Sequence, residues 1–131
     1  MSPIRILLAD DNDEILAEVR ELLEKDFEII GTVTNGQDAV EAVRLFNPDV
    51  VVLDIAMPVL GGIEASERIR KINAHSKILF LTIQEANEYI SRAVSAGASG
   101  YVTKRRLLSD LAHGIREVAE GRTFLSPSLR R

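Results

Sequence analysis

Five polar residues stand where apolar runs stop. Asp10 and Asp11 follow "RILLA", Asp54 follows "VVVL", Thr82 closes "KILFLT" and Lys104 follows "GYVT". Adjacent carboxylates repel, so both must stay hydrated or find a cation. Oxygen ligands without cysteine or histidine suit Mg²⁺, which takes a few carboxylates and keeps several waters. A cation also relieves the repulsion among Asp10, Asp11 and Asp54. One of the three can then act as a nucleophile, as in an aspartyl-phosphate intermediate. Lys104 and the metal would neutralise charge on a transferring phosphoryl group, and Thr82 could donate a hydrogen bond to one of its oxygens. Taken singly, each residue has a plainer explanation. Asp11 could cap a helix, with Glu14 three residues on completing a capping box. Asp54 could be a turn residue before "AMP", Lys104 a solvated charge and Thr82 an ordinary strand residue. The joint pattern resists that treatment, because the rest of each run is apolar.

The elements that must position these residues alternate along the chain. Strands are expected at 4–9, 27–33, 50–54, 77–82 and 100–103, rich in Val, Ile, Leu and aromatics. Several are apolar without alternation, as in a parallel sheet covered on both faces. Between them lie amphipathic helical stripes: Ile15, Leu16, Val19, Leu22 and Leu23; Ala39, Val40, Val43 and Phe46; Ala65, Ile69 and Ile72; Ile90, Ala93 and Val94. The fifth and clearest has Leu108, Leu111, Ala112, Ile115, Val118 and Ala119. Asn35 is placed to cap the second helix and Gly121 to end the fifth. Strict alternation of five strands and five helices argues for a doubly wound α/β fold with right-handed crossovers. In such a sheet ligands bind outside the carboxyl ends of the strands, where all five polar residues fall.

Bulk properties narrow the function. The chain has 131 residues, the size of one ordinary domain, and can bury a core without metal or disulfide staples. It has no cysteine, which rules out disulfides and thiolate zinc sites. The net charge of −4 argues against a nucleic-acid-binding domain, whose grip on phosphates needs a basic surface. No apolar run approaches a membrane span, and "MSPIRILLAD" is too short for a signal peptide, so a cytoplasmic protein is expected.

The motifs "DD" at 10–11, "LDIAMPVLGG" at 53–62, "LT" at 81–82 and "GYVTK" at 100–104, in this order and spacing, resemble the receiver domain of two-component response regulators. The resemblance covers residues 3–121. It implies a flavodoxin-like (CheY-like) five-stranded parallel sheet in the order 2-1-3-4-5. It also implies that Asp54 is the phosphoacceptor, phosphorylated by a sensor histidine kinase. Asp10, Asp11, Asp54 and the backbone carbonyl of Ala56 would hold Mg²⁺, and Lys104 would pair with a phosphoryl oxygen. Thr82 would move toward the phosphate and Tyr101 would turn inward after it, a two-state switch. Three residues depart from the pattern. Ile83 stands where a small residue usually follows the threonine, and could narrow access to Asp54. Arg105 stands where a proline usually follows the lysine, which makes a cis peptide there unexpected. Gly61 replaces a more usual polar residue. Ala56 and Gln84 occupy positions that tune phosphoryl lifetime in that family.

Residues 122–131, "RTFLSPSLRR", resemble the linker of NarL/FixJ-type transcriptional regulators, leading to a LuxR-type helix-turn-helix domain. DNA would then be contacted only through that missing effector domain. An ordinary frayed end with a turn at Ser126-Pro127 is the alternative. A homodimer through the first and fifth helices is expected on the same resemblance. His75 and His113 read as exposed bystanders. A stand-alone receiver acting by protein–protein contact is the competing function. An enzyme, a phosphohydrolase using Asp54, is disfavoured because the acid such enzymes commonly need two residues on is Ala56 here.

Overall fold

The computed structural model describes residues 2–130; Met1 and Arg131, the last residue of the tail, lie outside the described residues. Strands β1 (Arg5–Ala9), β2 (Glu28–Val33), β3 (Val50–Leu53), β4 (Lys77–Thr82) and β5 (Gly100–Thr103) alternate with helices α1 (Asp13–Leu23), α2 (Gly36–Phe46), α3 (Gly62–Ile72), α4 (Asn87–Ser95) and α5 (Leu107–Ala119). All strands pair in parallel, in the order β2-β1-β3-β4-β5. The fold is flavodoxin-like, as expected. The expected five strands are joined by a sixth, β6 (Phe124–Leu125), parallel to β5 at the sheet edge.

Period-two side-chain alternation explains why the central strands read as unbroken apolar runs. Ile6 and Leu8 of β1, with Val50 and Val52 of β3, enter a core closed by Val19 and Leu23 of α1 and Leu111, Ile115 and Val118 of α5. Leu7, Ala9, Val51 and Leu53 enter a second core with Ala39 and Val43 of α2, Ile69 of α3 and Ala93 of α4. Both faces of the strands are therefore dry.

The helical stripes differ from expectation at their margins. Leu107, not Leu108, is buried at the start of α5, and Leu108 stands in solvent. Phe46, Ile72 and Val94 are also exposed, while Ala42 and Ser66 are buried. One residue is a rotation of 100° about a helix axis, so a short stripe leaves its edges undecided until the packing partner is in place. Asn35 caps α2 as expected, its Oδ1 accepting from the Asp38 N–H at 2.8 Å. Gly121 ends α5 with φ +87, and the Gly121 and Arg122 amides donate to the Val118 and Glu117 carbonyls.

Residues 124–129 pack onto the rest of the domain. Phe124 is buried against Gly114 of α5, and its N–H donates to the Ser99 carbonyl at 2.9 Å. Ser126 is fully buried and donates to Asp110 Oδ2 at 2.9 Å, while the Thr103 amide donates to its Oγ. Pro127–Leu129 form one 3-10 turn that drops Leu129 into the core beside Tyr101 and Phe80. Strand pattern could not reveal a two-residue strand, because it spans a single period. Phe124→Ala should destabilise the protein by about 3 kcal/mol in urea unfolding, the usual loss for a buried phenylalanine; a frayed tail would give no change.

Candidate functional site

The site is assembled by strand order. β1 and β3 are neighbours, with Ala9 opposite Leu53, so the next residue of each strand, Asp10 and Asp54, lie side by side. The Asp54 amide donates to the Ala9 carbonyl at 3.0 Å and the Asp10 amide to the Val33 carbonyl at 3.1 Å, extending the ladders into the site. β5 lies two strands from β3, and the long Lys104 side chain covers that gap. Its Nζ is 2.8 Å from Asp10 Oδ2 and 2.9 Å from Asp54 Oδ2. Asp10 and Asp54 are only 4% and 6% exposed. Their other oxygens are held as well: Asp10 Oδ1 accepts from the Asn12 amide at 2.9 Å, and Asp54 Oδ1 from the Ile55 amide at 2.7 Å.

Asp11 does not cap α1. The helix begins at Asp13, and Asn12 is its cap, Oδ1 accepting from the Glu14 and Ile15 amides. Asp11 is exposed, with a carboxylate oxygen within 4.8 Å of those of Asp10 and Asp54. Ala56 lies in the exposed loop after β3, and its carbonyl accepts no backbone hydrogen bond among the described residues. Two glycines fold that loop tightly. A Cβ on Gly62 would lie 1.9 Å from the Asp54 carbonyl oxygen, and one on Gly36 would lie 2.1 Å from that of Leu60. The Gly62 amide donates to the Ile55 carbonyl and the Gly36 amide to that of Leu60. Val59, at the loop's tip, has φ +68, a left-handed conformation disfavoured for a β-branched side chain.

Burial and charge act against each other here. Burial raises the Asp10 carboxyl above its ordinary value, and the neighbouring Asp54 charge adds to it, although hydrogen bonds from Lys104 and Asn12 pull the other way. Burial alone would lower the Lys104 ammonium, but its bonds to Asp10 and Asp54 outweigh that and raise it. Lys104 therefore stays charged. Two carboxylate charges 4.8 Å apart repel by on the order of 3 kcal/mol at an effective dielectric of about 20, less for the exposed Asp11. An all-oxygen donor set with one member open to solvent fits a hard divalent cation.

Thr82 and Tyr101 lie one and two strands farther along. Thr82 is fully buried and its Oγ1 accepts from the Gln84 amide at 3.3 Å, not from Asp54 or Lys104. Tyr101 is inward, its hydroxyl donating to the Gln84 carbonyl at 2.7 Å. Burial, then the Asp54 and Glu85 charges, push its ionisation upward, which keeps it a neutral donor. Ile83 is 71% exposed and stands in solvent at the rim. Every peptide bond among the described residues is trans, including the one before Arg105. His75 is exposed, with Nε2 3.1 Å from Asp49 Oδ1, and the exposed His113 ring lies edge-on to Phe124. The cap role of Asn12 and the Ile55 amide were not anticipated. Asn12 lies one residue beyond the acid pair and carried a capping signal of its own, whereas a backbone donor leaves no mark in a sequence.

A family model for the response regulator receiver domain matches residues 6–116. The chain is 38% identical over 128 residues to the transcriptional regulatory protein YvfU of Bacillus subtilis, covering 96% of this chain and 64% of that protein. It is 34% identical over 128 residues to the response regulator UvrY of Escherichia coli, covering 96% and 59%. A crystal structure of a LuxR-family two-component response regulator from an Aurantimonas species superposes with a TM-score of 0.93 at 33% identity, covering 98% of this chain and 93% of that one. The chain spans less than two thirds of the length of either curated relative.

A raised Asp10 ionisation has a definite consequence for stability. A carboxyl whose folded value is raised favours the fold below the ordinary aspartate range, and loses that contribution as pH rises through the folded value. Without divalent cations, Asp10→Asn should gain stability relative to the parent chain between about pH 4 and about pH 7. Urea titrations in EDTA at both pH values measure the gap; a gap that narrows with pH would contradict the burial argument.

Proposed function

The chain belongs to the response regulator receiver family, most like its NarL/FixJ branch, and from that premise we propose that Asp54 is the phosphoacceptor of a two-component relay. The observation that carries this reading is the carboxylate pair bridged by Lys104, with one Asp54 oxygen on the ammonium and the other on the Ile55 amide. An Asp54 oxygen attacks phosphorus, the P–N bond of a donor phosphohistidine breaks, and the imidazole departs. Lys104, already held in the pocket as a cation, is positioned to take up charge on a phosphoryl oxygen. Asp10, Asp11 and Asp54, with the Ala56 carbonyl, would hold Mg²⁺, which supplies the remaining positive charge. Thr82 is the group that follows the phosphoryl oxygen, and Tyr101, already inward before it, is the group that the movement of Thr82 would hold there. The donor is a sensor histidine kinase, and the compartment is the cytoplasm.

We place the receiver at residues 3–121 and read 122–131 as the start of a linker to an effector domain of the LuxR type, through which transcription is controlled. Among the described residues no helix is long and apolar enough to cross a membrane. Leu108 of α5, exposed beside Leu22 of α1 and Lys25 of the turn after it, marks the face on which two copies would pair.

Incubation with acetyl phosphate and Mg²⁺ should add one phosphoryl group by intact mass, absent in Asp54→Asn. A folded protein that binds Mg²⁺ yet gains no mass from small donors or a cognate kinase would refute the assignment. Asp11→Ala should weaken Mg²⁺ binding in calorimetric titration, since it removes the solvent-facing carboxylate; unchanged affinity would exclude Asp11 as a ligand.

A further inference from the structure

Two loops frame the mouth of the site, and one ion pair joins them. Arg105 Nε lies 2.6 Å from Glu85 Oε2 and its terminal nitrogen 3.0 Å from Oε1, a two-pronged fork. Arg105 is the middle residue of the 3-10 turn Lys104–Arg106 that follows β5. Glu85 lies in the loop between β4 and α4, directly after Gln84. Gln84 holds the side-chain hydrogen bonds of both members of the switch pair, its amide on Thr82 Oγ1 and its carbonyl on the Tyr101 hydroxyl. The position of this loop therefore decides where the acceptor for Tyr101 stands. On the other side of the fork, Lys104 is anchored to Asp10 and Asp54.

Tyr101 also borders a groove. An apolar groove of about 270 Å³ opens beside it, lined by Ile90, Val94 and Ala98 next to α4 and by Phe124 and Leu125 of β6. The ring stands in a hydrogen-bonded environment at Gln84, and the groove between α4 and β6 would offer it an apolar one. Such an element is shifted by any contact that favours one state alone.

We propose that Glu85 and Arg105 are positioning residues that latch the β4–α4 loop to the Lys104 turn and so hold Tyr101 in its inward state before a phosphoryl group arrives. The inference rests on the reading of Thr82 and Tyr101 as the switch. Arg105 draws the Glu85 carboxyl below its usual range, consistent with a carboxylate engaged by the fork. Both side chains are partly exposed, so the bias is modest, up to about fivefold in the population ratio, and weakens with salt. A proline at position 105 would supply no donor for this latch.

The test follows the Tyr101 ring by NMR in the full chain carrying Tyr89→Phe, which leaves one tyrosine to observe. Arg105→Gln and Glu85→Gln should each move the ring signals toward the outward population by up to about fivefold and slow labelling by acetyl phosphate in parallel. The charge-reversed pair, Glu85→Arg with Arg105→Glu, should restore both. Ring signals unmoved in both single variants, with circular dichroism unchanged, would overturn the latch. If labelling proceeds equally in those variants, the latch fails and the phosphoacceptor reading stands. If the ring moves but no variant, parent included, is labelled, the latch stands and the phosphoacceptor reading fails.

Discussion

Lys104 bridges Asp10 and Asp54 across two strands, and the geometry of the carboxyl end of the sheet depends on that bridge. Without a cation, two nearly buried carboxylates on adjacent strands would have to take up a proton or open the pocket to water. With one ammonium against the three carboxylates of Asp10, Asp11 and Asp54, two negative charges are left over. That leftover negative charge is what would suit the pocket to a hard divalent cation. The same bridge ties the turn after β5 to the ends of β1 and β3, so electrostatics and loop position are one problem here.

The scaffold keeps this cluster in place by being rigid where the site is not. The four central strands are apolar on both faces, and their ladders run past the last strand residue into Asp10 and Asp54. The loop after Asp54 folds back so closely that only glycine fits at 36 and 62. Unfavourable local features gather in the same place: adjacent acids, a buried carboxyl with raised ionisation, and Val59 in a left-handed conformation. A fold tolerates such features when the surrounding packing over-determines them.

The C-terminal segment belongs to the same mechanics. β6 pairs with β5 at Gly100 and Tyr101, and the Ser126 amide donates to the Tyr101 carbonyl. Leu125 and Leu129 pack in the core that receives the Tyr101 ring. Tyr101 therefore contacts directly the residues we read as the linker, with no helix in between.

Much of this was legible in the order of residue types. Strand–helix alternation and apolar runs specified a parallel two-faced sheet, because period two leaves no polar side on a strand covered by helices. Acids and a lysine directly after those runs specified an anionic, cation-seeking site, because parallel strands deliver their carboxyl ends to one edge. Caps were legible where the chemistry is local, as at Asn35 and Gly121, and ambiguous where candidates adjoin, as at Asp11 and Asn12. Tertiary structure decided the rest. Which helix residue faces inward at a stripe's edge, Leu107 or Leu108, depends on the packing partner. The sixth strand depends on an open edge of β5, and the Glu85–Arg105 fork joins residues twenty positions apart. A sequence records which groups exist; the side on which each finds its partner is settled by the path the chain takes between them.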